Sequence, residues 1–260
     1  MCSDPDAEEK ETELKASAMI EALTNKPRQN IPSLPTSLPS DSGAKKLTSE
    51  TQARVLLVDH EDSFVHTLAD YLRQTGAEVA TCRCGDSLHD FFKYKVDTGL
   101  FKPTLVVLSP GPGNPSDFKL SQTIDFMIKK KIPMFGVCLG LQGLVEYFGG
   151  KLSILSTPMH GKSSVIRRVG SKSSKHDVLS GLPDEFQVGR YHSLHGDPPT
   201  VRELTVTAQT SDGVIMAVCH EKLPIAAVQF HPESILTLPK TGLKILMNAI
   251  EILKSDAYDE

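Results

Sequence analysis

The chain holds 260 residues, with 28 Lys and Arg against 32 Asp and Glu, a net charge of −4 and 39% hydrophobic side chains. That is enough for a soluble core in one large or two small domains, while no apolar run approaches the ~18 residues that cross a membrane. Residues 1–52 carry 9 acidic and 6 basic side chains, which leaves the remainder nearly neutral, and no Lys/Arg stripe offers a footprint for nucleic acid. The start, MCSDPDAEEKE, has neither the apolar stretch of a secretory signal nor the Arg-rich character of a transit peptide. Cys2, Cys82, Cys84, Cys138 and Cys219 form no disulfide framework, so a reducing compartment and a cytoplasmic location are expected. Cys82-x-Cys84 lacks a second ligand pair at zinc spacing, and no metal is expected.

In chain order, residues 7–23 are rich in Ala, Glu, Lys and Leu and read as a helix with a partial apolar stripe. Pro27, Pro32, Pro35 and Pro39 then fall among Ser, Thr, Asn and Asp, a linker composition, and a boundary is expected near residue 52. The expected organisation is a tail and linker over 1–52 and a domain over 53–255. From Arg54 the pattern becomes strand, loop, helix. Residues 55–58 form a buried strand, Phe64, Leu68, Tyr71 and Leu72 recur at helical spacing, and 78–82 is the next strand. Residues 88–96 read as helix and 104–108 as another apolar strand. The turn 109–115, SPGPGNP, excludes both helix and strand. Residues 121–131 form a helix that feeds the strand beginning at Ile132.

Gly136-Val137-Cys138-Leu139-Gly140 follows that strand and is the cysteine version of the nucleophile elbow, a sharp strand-to-helix turn whose glycines admit close backbone approach. Leu141, Leu144, Val145 and Phe148 supply one helical face, and Gly149-Gly150 the stop. A lone intracellular cysteine is most often a small buried side chain. At this turn the helix dipole and free N–H groups favour a nucleophilic thiolate instead. The second half, with β-like stretches at 164–169, 185–191, 204–208 and 213–219, reads as a mainly antiparallel extension. Residues 225–230 return to a buried strand that runs into His231-Pro232-Glu233, and 243–253 is a last helix. Alternating strands and helices predict an α/β fold, flavodoxin-like and doubly wound. Its mostly parallel central sheet would carry helices on both faces and the smaller antiparallel extension. Cys138 and His231 then share the carboxyl end of the sheet, where sites assemble. Pro232 would push His231 into an extended conformation, in which His231 and Glu233 point the same way, so that the carboxylate holds the imidazole. Nucleophile, base and orienting group are thereby named.

SPGPGNP (109–115), GVCLGLQG (136–143), GRYHSLHG (189–196) and AVQFHPES (227–234) resemble, in order and spacing, the motifs of class I (triad-type) glutamine amidotransferases over about residues 54–253. The resemblance implies Cys138 as nucleophile, His231 as base and Glu233 as orienter. It implies a glutamine pocket lined by Gly111, Pro112 and Gly113, with oxyanion donors from that turn and from the N–H of Leu139. Gln142 and the backbone of Ser193 and Leu194, in a loop, would grip the glutamine head group. No cofactor is implied. Within the family, DHEDSFVHTLADYLRQ (59–74) and MHGKSS (159–164) are similar to the amidotransferase part of anthranilate synthase, which implies ammonia delivery to a chorismate-binding synthase. Leu141 and Asp59-His60-Glu61-Asp62 resemble forms in which synthase and amidotransferase are fused; residues 4–23 would then be the tail of a synthase domain and 24–52 the linker. Aminodeoxychorismate synthase, whose glutaminase is very similar, is the sibling reading. A non-catalytic regulatory partner would be expected to lack Cys138, His231 or Glu233. A hydrolase acting on another substrate would not need SPGPGNP and YHSL.

Overall fold

The computed structural model describes residues 52–170 and 174–253. The helix expected at 7–23 and the linker expected at 24–52, except for its last residue, lie outside them. One nine-stranded sheet, in the order β2-β1-β3-β4-β9-β8-β7-β5-β6, organises the described chain. Its parallel half comprises β1 (Arg54–Asp59), β2 (Glu78–Arg83), β3 (Leu105–Leu108), β4 (Met134–Val137) and β9 (Ile225–Val228). The antiparallel half comprises β5 (Leu152–Arg168), β6 (Glu185–Gly196), β7 (Leu204–Thr210) and β8 (Ile215–His220), and it grows from the edge of β9. The extension expected from sequence is therefore continuous with the central sheet.

The inner strands β3, β4 and β9, and residues 55–58 of β1, are apolar because both of their faces are covered, whereas β2, at the sheet edge, carries Glu78, Thr81 and Arg83. Period-two alternation divides their side chains. Val55 and Leu57, Leu105 and Val107, Phe135 and Val137, and Ala226 and Val228 pack on one side with α1 (Val65–Gln74) and α5 (Pro239–Ile252). Leu56 and Val58, Val106 and Leu108, Met134, and Ile225 and Ala227 pack on the other. There they meet α2 (Asp86–Phe91), α3 (Leu120–Lys129) and α4 (Leu139–Tyr147). Each fully buried Leu or Val in these layers contributes about 1.5–3 kcal/mol through removal from water.

Three elements differ from the sequence reading. The helix at 88–96 is α2 followed by a wider turn, Phe92–Val96, closed by the Asp97 N–H donating to the Phe92 carbonyl at 2.8 Å. Strand β5 begins twelve residues before the expected 164, and register shifts near Pro158 and Gly161 hide its alternation. The stretch 191–194, expected as a loop, lies inside β6, paired with β5 from Leu152↔Gly196 onward. The polar side chains that disguised it are satisfied within the sheet, as described below.

Candidate active site

Strands β1, β3, β4 and β9 all end at one edge, and each delivers part of a single cluster. Cys138 follows β4 and stands at the N-cap of α4 with φ 53° and ψ −99°. A non-glycine residue held there stores about 1–3 kcal/mol of strain. The surroundings enforce it. The Cys138 N–H donates to the Val228 carbonyl of β9 at 2.8 Å, and the Cys138 carbonyl accepts from the Gln142 N–H at 3.2 Å. The flanking glycines are required by close approach: a Cβ at Gly136 would lie 2.7 Å from the Gly140 carbonyl carbon, and one at Gly140 2.6 Å from the Leu108 oxygen. The elbow expected from sequence is present, and its cysteine is 5% exposed.

His231 follows β9, three residues after its last paired position, Val228. Its N–H donates to the Gly189 carbonyl at 3.0 Å, a bridge to β6. The chain then turns rather than extends, with the Ser234 N–H and the Thr237 hydroxyl both donating to the His231 carbonyl, at 3.2 and 2.7 Å. That turn, and not an extended i, i+2 relation, brings Glu233 Oε1 to 2.8 Å from His231 Nδ1. A carboxylate only accepts, so Nδ1 carries the proton and Nε2 is left for Cys138. Phe64 and Tyr191 enclose the ring edge-on, with centroids 5.3 and 5.0 Å away, and Tyr191 is itself fixed by a 3.0 Å bond to Ser234. Burial opposes a charge on this imidazole. It is outweighed by the Glu233 carboxylate and by the hydrogen-bonding and electrostatic influence of Cys138, which together hold the His231 pKa well above the usual value.

The turn 109–113 packs behind the cysteine. A Cβ on Gly111 would stand 2.5 Å from Leu139 Cδ2 and 2.8 Å from the His60 carbonyl, so the turn abuts the first residue of α4. Pro110 and Pro112 have no N–H, which leaves Gly111 and Gly113 as its donors at this corner. Gly113 faces away, toward Asp117, whose carboxylate accepts the Asn114 N–H at 2.8 Å and pins the turn's far end. Gln142 is buried, and its Nε2 donates to the Leu194 carbonyl at 3.0 Å. The Ser193 hydroxyl is held at 3.1 Å from His160 Nε2. The structure thus gathers Cys138, His231 and Glu233 at one point, seats Gly111 against Leu139, and ties Gln142 to Leu194.

Two participants were not singled out from sequence. Gln229 Nε2 lies 3.6 Å from the Cys138 sulfur, with Gln229 Oε1 3.4 Å from Gln142 Nε2. His60 lies beneath the turn, where its N–H donates to the Ser109 hydroxyl at 2.9 Å and its Nδ1 is 3.1 Å from the same oxygen. Burial pushes the His60 pKa from 6.5 down to about 4, against the Ser109 backbone bond and the Asp59 charge. A depressed folded-state value means that the stability is present above pH 6.5 and is lost as pH falls toward 4. The expected loss from His60 is about 2–3 kcal/mol by pH 4.5. Denaturant titrations at pH 7 and 4.5 check this: His60→Asn should lose less stability on acidification than the parent, and equal losses would contradict the assignment.

Among the described residues, no group of three or more His, Cys, Asp and Glu is placed to hold a metal, and no helix is long and apolar enough to cross a membrane. The family model for class-I glutamine amidotransferases matches residues 56–250. An Azospirillum brasilense protein named anthranilate synthase is 48% identical over 99% of this chain, which spans 33% of that relative. A Phycomyces blakesleeanus multifunctional tryptophan biosynthesis protein is 42% identical over 79% of the chain and 25% of its own length. The chain thus spans a third or less of these two relatives. A Bacillus subtilis aminodeoxychorismate/anthranilate synthase component 2 is 37% identical over 78% of the chain and 98% of its own length. Among solved structures, a glutamine amidotransferase from Thermotoga maritima aligns with a TM-score of 0.55 and 18% identity over 77% of this chain and 96% of its own, a likeness of fold.

Proposed function

Because the chain belongs to the class-I glutamine amidotransferase family, we propose that it hydrolyses glutamine and passes the ammonia to a chorismate-binding synthase that forms anthranilate, a step of tryptophan biosynthesis. The observation that carries this reading is the strained Cys138 at a helix N-terminus facing the buried His231–Glu233 pair. The Cys138 sulfur attacks the carboxamide carbon of glutamine, and the carbonyl electrons move onto oxygen. The N–H groups of Leu139 and of the 111–113 turn receive that oxyanion, a contribution of about 2.7–4 kcal/mol per donor. His231 gives its proton to the departing nitrogen, and ammonia leaves a thioester on Cys138. The neutral imidazole then takes a proton from water, whose oxygen attacks the thioester and releases glutamate and the thiolate. Every step is carried by side chains and backbone, and we assign no cofactor.

The names of the Azospirillum and Bacillus relatives support anthranilate as the product, and that of the Phycomyces relative supports a place in tryptophan biosynthesis. The Bacillus name also carries aminodeoxychorismate, the alternative product. Residues 53–255 are assigned as the amidotransferase domain and 1–52 as a tail and linker. Reduced cysteines at 82, 84, 138 and 219 fit a cytoplasmic setting.

The partner gives the test. Ammonia in bulk water at neutral pH is mostly protonated and no longer nucleophilic, so release should be coupled to a docked synthase. Steady-state glutamate release by the chain alone is expected to be weak and to rise when a chorismate-loaded synthase is added, with anthranilate formed in step with glutamate. Full activity unaffected by the synthase would contradict the coupling, and aminodeoxychorismate as the product would favour the sibling reading.

A further inference from the structure

The antiparallel half contains a cleft that the proposed reaction does not use. It has a volume of about 560 Å³ and opens between β5, β6 and the turn joining β7 to β8. Leu155, Met159 and Val165 are the apolar residues of its lining, and Ser164 and Thr210 are among the hydroxyl-bearing ones. Arg190 is the cation in the lining, and it is 3% exposed. Its Nε–H donates to His192 Nε2 at 3.0 Å and its Nη1 to the Ser164 hydroxyl at 3.3 Å, both neutral acceptors. Among the described residues no carboxylate closes an ion pair with it. Asp212, exposed on the rim, steadies the charge only through space, while burial works against it. A guanidinium withdrawn from water with neutral partners alone is costly, and its planar fork matches a carboxylate.

This arginine also begins a chain of hydrogen bonds to the cysteine. Arg190 can only donate, so His192 Nε2 accepts and Nδ1 bears the proton. Burial and the Arg190 charge keep the ring neutral, with a pKa pushed down to about 3. Nδ1–H donates to the Leu194 carbonyl at 2.8 Å, the oxygen that also accepts Gln142 Nε2. Gln142 approaches Gln229, and Gln229 approaches the Cys138 sulfur. We propose that the cleft binds a small carboxylate-bearing molecule through the Arg190 fork, and that its occupancy reaches Cys138 through His192, Leu194, Gln142 and Gln229. A ligand that draws the guanidinium into the cleft loosens its hold on His192, and the shared Leu194 carbonyl transmits the change. The continuous bonding supplies the route, and coupling is what the experiment must measure.

Malonate serves as the probe on the full 260-residue chain. The Arg190 Nε–H resonance should shift saturably with malonate and not with equal ionic strength of chloride. The rate of Cys138 alkylation by iodoacetamide should change along the same binding curve. The alkylation response should disappear in Arg190→Gln. Asp212→Asn, on the exposed rim where folding is not at risk, should tighten malonate binding about 1.5- to 5-fold by removing a like charge. An unsaturable shift, a response that persists in Arg190→Gln, weaker binding in Asp212→Asn, or an alkylation rate indifferent to saturating malonate would each overturn the proposal. Neither readout requires glutamine turnover, so failure here is distinct from failure of the glutaminase reading.

Discussion

Cys138→Ser is expected to abolish glutamine-dependent turnover, with a loss of at least about 10⁴-fold, while leaving the fold intact. The substitution exchanges sulfur for oxygen at a residue that is 5% exposed and whose backbone position is set by neighbours, not by its side chain. The Val228 carbonyl, the first turn of α4 and the close packing of Gly136 and Gly140 remain as they are. What disappears is thiolate character. A serine hydroxyl is a weak nucleophile unless its base removes the proton, and the influence of the Cys138 sulfur on His231 is lost with the sulfur. Glutamate release and thermal unfolding measured on the same preparation separate the two effects. Residual turnover within tenfold of the parent would remove Cys138 from the mechanism, and a collapse of thermal stability would show that the sulfur is structural.

Glu233→Gln should lower turnover by roughly 10²–10⁴-fold with little effect on glutamine binding, in line with losing the charge that orients a catalytic imidazole. The carboxylate is 2.8 Å from His231 Nδ1, and both groups are buried. Its negative charge is the leading influence that raises the His231 pKa against burial. The direction in pH follows from that. The active pair needs the imidazolium, so activity falls as pH rises through the elevated His231 value. Removing the Glu233 charge lowers that value, and the alkaline limb of the rate profile should move to lower pH. Replacement by Gln also allows the amide NH2 to donate to Nδ1, which moves the ring proton to Nε2, the wrong tautomer. A profile with its alkaline limb unmoved would contradict Glu233 as the orienting group.

The parallel half of the fold was legible because buried strands such as 55–58 and 105–108 are apolar without interruption, and the helices at 65–74 and 120–129 keep their period. The elbow was legible because close packing leaves glycine at both 136 and 140. The antiparallel half was less so. Pro158 and Gly161 break the alternation of β5, and its register shifts at those positions. In β6, Arg190 and His192 are polar but buried, and their partners include each other and Ser164 of β5, so composition alone made a loop of a strand. His60 and Gln229 were missed for a related reason. Their significance lies in contacts to Ser109 and Cys138, 49 and 91 residues away, and no local pattern records such distances. His231 and Glu233 were paired correctly from sequence on a wrong local geometry: the triplet gave the neighbours, while the turn that joins them is fixed by Gly189 and Thr237.

The most direct test of the glutaminase reading is to treat the protein with a glutamine-analogue electrophile and map the adduct by mass spectrometry. An electrophile carried on the glutamine skeleton requires both the head-group pocket and the nucleophile, so it reports the whole site in one measurement. Beside Cys138 and Cys2, which lies outside the described residues, three cysteines compete for it: Cys82 and Cys84, partly exposed, and Cys219, buried. Burial pushes the Cys82 thiol up to about 12 and the Cys84 and Cys219 thiols above their usual value as well, so none of the three should react at neutral pH. The predicted result is one adduct per chain, on Cys138, with excess glutamine protecting it. Labelling of Cys82, Cys84 or Cys219 with Cys138 left unmodified would contradict the account.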